Sequence, residues 1–200
     1  LVVDTTPALI TSAAAAQVDE NSAAPQVVYT AVATDAGGGV AFSLADGAND
    51  GLSIDAGTGA VSLTTSPDFE TLSSYSFIVL ATDGAGNVSE KAVELAVTNL
   101  DDTAPTITSS ATATSIAENS GAGQVVYTAV ADDTADISAG VTFSLAAGSD
   151  AGLAIDGASG EVTLAADPDQ ETQSSYSFTV TATDAADNAS NQAVTLSITD

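Results

Sequence analysis

Acidic side chains at the ends of alternating apolar segments carry what chemistry this 200-residue chain can do. Glu20, Asp35, Asp55, Asp68, Glu70 and Asp83 sit at such positions in the first half. Glu118, Asp133, Asp156, Asp169, Glu171 and Asp184 sit there in the second, and Asp101 and Asp102 lie between the two sets. Two like charges about 4 Å apart repel by roughly 4 kcal/mol at an effective dielectric of about 20. A gathering of six or more carboxylates therefore needs a cation. Calcium suits that need, because it takes six to eight oxygen ligands at about 2.3–2.6 Å and accepts carboxylate, amide and backbone carbonyl oxygens. Magnesium resists losing its waters, and zinc prefers nitrogen and sulfur ligands. The competing reading makes each aspartate a turn former or an ordinary surface charge. For a single loop such as 46–51 that reading is preferred.

Composition narrows the field further. The formal net charge is −26, and Lys91 is the only basic side chain, since the chain has no Arg and no His. Nucleic acid and anionic membrane surfaces need Lys or Arg to meet phosphate, so both are poor partners, and neither nucleic-acid binding nor direct membrane insertion is expected. With no cysteine, neither disulfides nor thiol redox chemistry is available. General acid–base and nucleophilic machinery is equally scarce, which argues against an enzyme even though paired carboxylates alone serve glycosidases. The hydrophobic fraction of 44% and its regular alternation argue against an acidic disordered segment. A salt-adapted surface remains compatible with the charge. No apolar run approaches the roughly 20 residues of a membrane span, and no signal peptide is visible.

The elements that must position these carboxylates are written twice. Tyr29, Phe42, Asp68-Phe69-Glu70 and Tyr75-Ser76-Phe77 return as Tyr127, Phe143, Asp169-Gln170-Glu171 and Tyr176-Ser177-Phe178. The offset grows from 98 (Tyr29 to Tyr127) to 101 (Phe42 to Phe143), so the second copy carries three extra residues opposite 33–40. A period near 100 residues implies a string of small domains rather than a solenoid. The expected domains are 1–101 and 102–200, read as two periods of a longer array. Tyr75, Phe77, Val79 and Ala81 fall on one face of a strand, as do Tyr176, Phe178, Val180 and Ala182. Val93, Leu95 and Val97, echoed by Val194, Leu196 and Ile198, make a second set. Val27, Tyr29, Ala31 and Ala33, echoed by Val125, Tyr127, Ala129 and Ala131, make a third. Shorter strands are expected near 8–13, 40–44, 52–54 and 60–63. Seven short antiparallel strands per repeat, without a convincing helix, predict an all-β chain of two tandem Greek-key β-sandwiches. The thin core of Ala and Val suggests that something beyond packing helps to hold each sandwich. Strand alternation lets Glu20, Asp68 and Glu70 gather at the lower end of repeat 1, and Asp133, Asp136 and Asp184 at the upper end of repeat 2. The short link 99–105 keeps these ends near each other.

The chain resembles the cadherin repeat. Leu52-Ser53-Ile54-Asp55-Ala56-Gly57-Thr58-Gly59-Ala60-Val61 is similar to F-x-I-D-x-x-T-G-x-I, and Asp68-Phe69-Glu70 to the D-x-E motif. Tyr75 to Asp83 resembles Y-x-F-x-V-x-A-x-D, Glu20-Asn21 resembles P-E-N, and Asn99-Leu100-Asp101-Asp102-Thr103-Ala104-Pro105 resembles D-x-N-D-N-A-P. The opening Leu1-Val2-Val3-Asp4-Thr5-Thr6-Pro7 matches the same linker. The phrases ATDGAGNVS and DDTAPTITSS are similar to the extender repeats of bacterial RTX adhesins, secreted by the type I route and including the ice-binding marine kind.

The resemblance implies an elongated rod stiffened by Ca2+ between successive repeats. Glu20, Asp68, Glu70 and Asp102 would supply the lower group, Asn99 and Asp101 would contribute from the linker, and Asp133 and Asp184 from repeat 2. Asp4, Asp35 and Asp83 would form half of a centre with a preceding repeat. Glu118, Asp169, Glu171 and Asp200 would form half of one with a following repeat. The linker departs from the pattern at Asn99 and Thr103, and the D-x-D pair departs at Ala135, with Asp136 one place later. The implied role is a monomeric structural spacer on a bacterial cell surface, extracellular, whose partners are neighbouring repeats of the same chain. The alternative is a cadherin-like adhesion module, or one that binds sugar or another surface, for which the outward pair Ile78 and Leu80 would be the contact.

Overall fold

The computed structural model describes residues 4–48, 50–137 and 140–200. Leu1-Val2-Val3 of the opening linker motif and Asn49 of the loop 46–51 lie outside the described residues. The chain divides into two compact units, Leu1–Leu100 and Asp101–Asp200. Every regular element among the described residues is a strand.

The first unit contains β1 (Leu9–Ile10), β2 (Ala15–Asp19), β3 (Gln26–Thr30), β4 (Ala33–Thr34), β5 (Ala41–Leu44), β6 (Leu52–Ile54), β7 (Ala60–Leu63), β8 (Ser74–Thr82) and β9 (Val88–Thr98). One sheet runs β2-β9-β8-β5, a second runs β3-β7-β6, and β1 pairs with β4. Alternation puts Tyr75, Phe77, Val79 and Ala81 of β8 inward, with Val93, Leu95 and Val97 of β9 beside them. Val61 and Leu63 of β7 meet them from the other sheet with no exposed surface. The rings of Tyr29 and Phe77 pack edge to face, 5.8 Å between centroids, the arrangement that aromatic quadrupoles favour.

The second unit repeats the plan with β10 (Thr106–Ile107), β11 (Ile116–Ala117), β12 (Gln124–Thr128), β13 (Ala131–Asp132), β14 (Thr142–Leu145), β15 (Leu153–Ile155), β16 (Glu161–Leu164), β17 (Ser175–Thr183) and β18 (Ala189–Thr199). Its sheets are β11-β18-β17-β14 and β12-β16-β15, with β10 on β13. Tyr127 and Phe178 form the same edge-to-face pair at 5.7 Å.

The all-β sandwich expected from the alternation is present, with three departures. β2 runs parallel to β9, and β11 to β18, whereas seven antiparallel strands were expected. The strand expected over 27–33 is split into β3 and β4, and β2 lies beyond the strand expected at 8–13, which makes nine segments per unit. The cause is a change of sheet. β1 pairs with β4, then the chain crosses at Ser12-Ala13 and β2 joins β9. The Tyr29 hydroxyl pins the crossing, 2.7 Å from Ser12 Oγ and 2.6 Å from the Ala13 carbonyl oxygen. Tyr127 holds Ser109 and Ser110 in the same way. The third strand is interrupted where Ala31 N–H donates to the Gly59 carbonyl while Val32 turns its carbonyl to Thr11 N–H.

The second departure is a bulge. The ladder sets Val27 against Ser62 and Tyr29 against Val61, leaving Val28 surplus. The surplus residue inverts the alternation, so Val27 is 60% exposed rather than in the core with Tyr29. Val125 is turned out identically by the bulge before Tyr127.

The third departure is in length. Leu9 pairs with Thr34 and Thr106 with Asp132, so the copies begin at an offset of 97, not 98. The offset reaches 98 by Val18 and Ile116, which face Val97 and Ile198. One extra residue therefore lies between Thr112 and Ile116. There the second unit keeps only an isolated bridge from Thr112 to Thr195 where the first has continuous β2.

Candidate metal-binding centres

Not every strand-end aspartate is placed to meet a cation. Asp55 Oδ1 accepts the Thr58 hydroxyl and backbone N–H, both at 2.8 Å, and the Gly57 N–H at 3.1 Å. These bonds, the Thr58 hydroxyl foremost, hold the Asp55 carboxyl below the usual carboxylate range. Asp156 does the same with the N–H groups of Ser159 and Ala158. Both are turn formers. The turn ends at Gly59 and Gly160 with φ of +72° and +71°. A Cβ there would lie 2.4 Å from the Ala31 carbonyl oxygen and 2.5 Å from that of Ala129. The I-D-x-x-T-G phrase is thus explained by a close approach of backbones.

At the lower end of the first unit β2 stops at Asp19, and Asn21 takes a left-handed conformation, φ 57°. Its N–H reaches the Pro67 carbonyl at 2.9 Å. That bend drives Glu20 inward until it is 2% exposed. Glu20 Oε2 accepts the Phe69 N–H at 2.8 Å and Oε1 the Leu100 N–H at 2.6 Å. The D-x-E loop brings Asp68 and Glu70 to it, and one oxygen from each of the three lies within 4.8 Å of the others. The Thr71 hydroxyl, then its N–H, hold Asp68 below its usual range, so it stays ionised beside two more carboxylates. The second unit assembles Glu118, Asp169 and Glu171 to the same 4.8 Å. Glu118 is only half-buried, and its Oε2 accepts the Gln170 N–H at 2.9 Å. Asp200 is exposed just past β18 and joins none of these acid triads among the described residues; Asn99 is half-buried just past β9.

At the upper end of the first unit Asp4, Asp35 and Asp83 meet within 4.8 Å. They line a cleft of about 290 Å³ with Gly37, Gly38, Gly84 and Ala85. Gly37 leaves the space open, since a Cβ there would stand 3.0 Å from Asp35 Oδ2 and 3.2 Å from Asp4 Oδ2. Asp83 is buried, and the Asn87 side chain leads the hydrogen bonds that hold its carboxyl below the usual range.

The counterpart in the second unit is looser. Asp101, Asp133, Asp136 and Asp184 do not close to a triad of that tightness among the described residues, and the three-residue insertion lies in this loop. Burial pushes the Asp101 carboxyl up, and the charges of Asp184, Asp133, Asp136 and Asp102 add to the push. Asp133 is 9% exposed, and its Oδ2 is buried without a hydrogen-bond partner. A buried carboxylate oxygen with no donor is costly unless something positive faces it. Asp102 N–H donates to Asp136 Oδ2 at 3.2 Å, so Asp136 meets the linker where Ala135 replaces the usual aspartate.

The motif reading passed over two residues. Asn87 and Asn188 tie the linker aspartates Asp4 and Asp101 to Asp83 and Asp184. The signal was present as an Asn four places after the hairpin aspartate in both copies. These bonds also make Asp101, not Asp102, the counterpart of Asp4, one place from the linker match made on sequence. Every candidate donor is oxygen, which fits a hard divalent cation of the calcium type and not zinc.

The β-sandwich of these units is cadherin-like. The Cadherin domain family matches residues 112–199. The whole chain is 29% identical over 207 residues to mouse Protocadherin Fat 4, and 72% of it is 34% identical over 150 residues to human Protocadherin Fat 1. It spans 4% and 3% of those relatives. Among solved structures, Drosophila N-cadherin EC1-4 superposes with a TM-score of 0.77 at 22% identity, covering 98% of this chain and 50% of that one. No helix among the described residues is long and apolar enough to cross a membrane.

Proposed function

We propose that the two units are calcium-stiffened spacer repeats of an extracellular, cell-surface protein, monomeric and without catalytic activity. The observation that carries this reading is the burial of Glu20 at 2% exposure with Asp68 and Glu70 held within 4.8 Å of it. Three ionisable acids in that space, one of them held ionised by Thr71, are stable together when a divalent cation balances them. Glu20, Asp68 and Glu70, with Asn99 and the linker acids Asp101 and Asp102, are the ligands proposed at the junction, and Asp133, Asp136 and Asp184 the ligands beyond it. Asp4, Asp35 and Asp83, and Glu118, Asp169, Glu171 and Asp200, are proposed half-centres toward further repeats. Calcium would supply charge balance and a shared anchor, turning a short linker into a strut.

The bacterial adhesin setting rests on the phrases ATDGAGNVS and DDTAPTITSS and on the near absence of basic residues. In that setting calcium couples stiffness to place: low inside the cell, high outside. At a concentration 100 times its dissociation constant an ion adds roughly 2.7 kcal/mol per centre, large beside a domain stability of about 5–15 kcal/mol. Thermal unfolding and small-angle scattering of the chain with calcium and with a chelator test this. A lower melting temperature and a shorter average length in chelator are expected. Unchanged values of both would end the proposal.

A cadherin-like adhesion module is the second reading, favoured by the animal protocadherins among the relatives and by Ile78, 38% exposed on β8. Light scattering over a concentration series in calcium separates the two. A constant mass supports the spacer, and a rising one the adhesion module.

A further inference from the structure

An asparagine amide has two N–H groups, and in each unit one such amide is fully committed. Asn87 Nδ2 donates to Asp83 Oδ2 at 2.8 Å and to the Asp4 carbonyl oxygen at 3.1 Å. Asn188 Nδ2 donates to Asp184 Oδ2 at 3.0 Å and to the Asp101 carbonyl at 3.1 Å, with Asp101 Oδ1 at 3.4 Å. Donor and linker acceptor are 83 residues apart in the first unit and 87 in the second. The other oxygen of each hairpin aspartate is already engaged. Asp83 Oδ1 accepts the N–H groups of Ala85 and Asn87, both at 2.9 Å. Asp184 Oδ1 accepts those of Ala186 at 2.9 Å and Asn188 at 2.8 Å.

We infer that Asn87 and Asn188 are positioning residues of the two upper centres, whose amides clamp the linker aspartate onto the hairpin aspartate before any cation arrives. The inference rests on the calcium reading above and assigns these chains' own residues toward it. A carboxylate offers about four lone-pair sites. Three are filled on Asp83 and on Asp184, so each carboxylate is fixed in rotation with one direction left for a ligand. A cation then meets a ligand that has already lost its rotamer freedom, and less ordering is charged to binding. Partners that orient ligands in this way are worth about 10–100-fold in metal affinity. Neither asparagine supplies an oxygen to the ion in this scheme, which separates its role from that of the acids it holds.

The test is calcium titration of the full 200-residue chain by calorimetry, with N188A, N188L and N191A. Asn191 lies on the same hairpin, and its Oδ1 accepts only the hydroxyl of the half-buried Thr181 among the bonds described, at 2.6 Å. N191A therefore perturbs the hairpin without touching the linker. N188A is expected to lower calcium affinity at its centre about tenfold or more, while N191A leaves it within twofold. N188L keeps roughly the side-chain volume, loses both donors and adds neither charge nor oxygen ligand, so it should match N188A and serves in its place if N188A is unfolded by circular dichroism. Wild-type affinity in folded N188A or N188L, or an equal loss in N191A, overturns the positioning role while calcium binding stands. A wild-type chain that takes up no calcium at millimolar concentration overturns the parent reading and this one with it.

Discussion

The two units share a frame and differ in how they fix what hangs on it. Both pin the crossing of the first strand with a tyrosine hydroxyl, both pack that ring edge-on against a phenylalanine, and both close a turn on a left-handed glycine. They part at three places. Glu20 is sealed in the first unit by two backbone N–H groups, whereas Glu118 is half-buried with the Gln170 N–H. The upper carboxylates converge to 4.8 Å in the first unit and stay looser in the second, where the loop is three residues longer. The first strand is continuous along β9 in one and broken along β18 in the other. Positions with one steric solution recur unchanged. The glutamate at the lower end, the upper acidic loop and the first strand drift, although the hydroxyl pins and asparagine clamps beside them recur.

The sharpest way to break that distinction is to attack the frame in both units. Gly59→Ala and Gly160→Ala each force a Cβ to 2.4–2.5 Å from a carbonyl oxygen at positive φ. Each substitution should cost about 3–5 kcal/mol, with nearly equal values in the two units. Urea unfolding of the full chain, followed residue by residue by NMR, measures both. Unequal costs would mean that the frame is not the same object twice.

The sealed and half-buried glutamates should instead diverge. Glu20→Ala leaves the Phe69 and Leu100 N–H groups without their acceptor, and Glu118→Ala leaves the Gln170 N–H. An abandoned buried donor costs about 1–3 kcal/mol. In chelator each substitution also relieves repulsion in its acid triad, so the comparison is the difference: Glu20→Ala should destabilise its unit by about 1–3 kcal/mol more than Glu118→Ala, in the same unfolding experiment. Equal losses would show that the Leu100 contact adds nothing.

What could be read from the chain follows the same division. Period-2 alternation placed the inward residues of β8, β9, β17 and β18, because those strands are long and uninterrupted. The lower acids could be grouped because they follow a strand end and a D-x-E loop, both fixed by local geometry. Val27 and Val125 were misplaced because a bulge leaves the composition of a strand unchanged while reversing its faces. The sheet crossing was hidden for a related reason: its signal is a hydroxyl at Tyr29 that bonds Ala13, a contact across sequence with no local pattern. Asn87 and Asn188 were passed over, because D-x-x-x-N marks a repeated position without revealing a partner more than 80 residues away.

The smallest expected difference lies in the first strands. Ala15–Asp19 sets five consecutive residues parallel to β9. In the second unit Thr112 bridges to Thr195, Ala113 is buried, and pairing resumes only at Ile116. Both Ala113 and Ile116 turn toward the core, with the exposed Thr114 and Ser115 between them. In the first unit only Gln17 separates the corresponding Ala16 and Val18. The extra residue is thus accommodated as an outward bulge that preserves both inward contacts. Amide exchange at residues 113–117 should then run faster than at 15–19, since opening a short bridge breaks fewer bonds than opening a ladder. Deleting Thr114 restores the spacing of the first unit and should slow exchange there about tenfold or less, without changing the core. Exchange that stays fast after the deletion would place the difference elsewhere, in the partner strand β18 rather than in the count of residues before it.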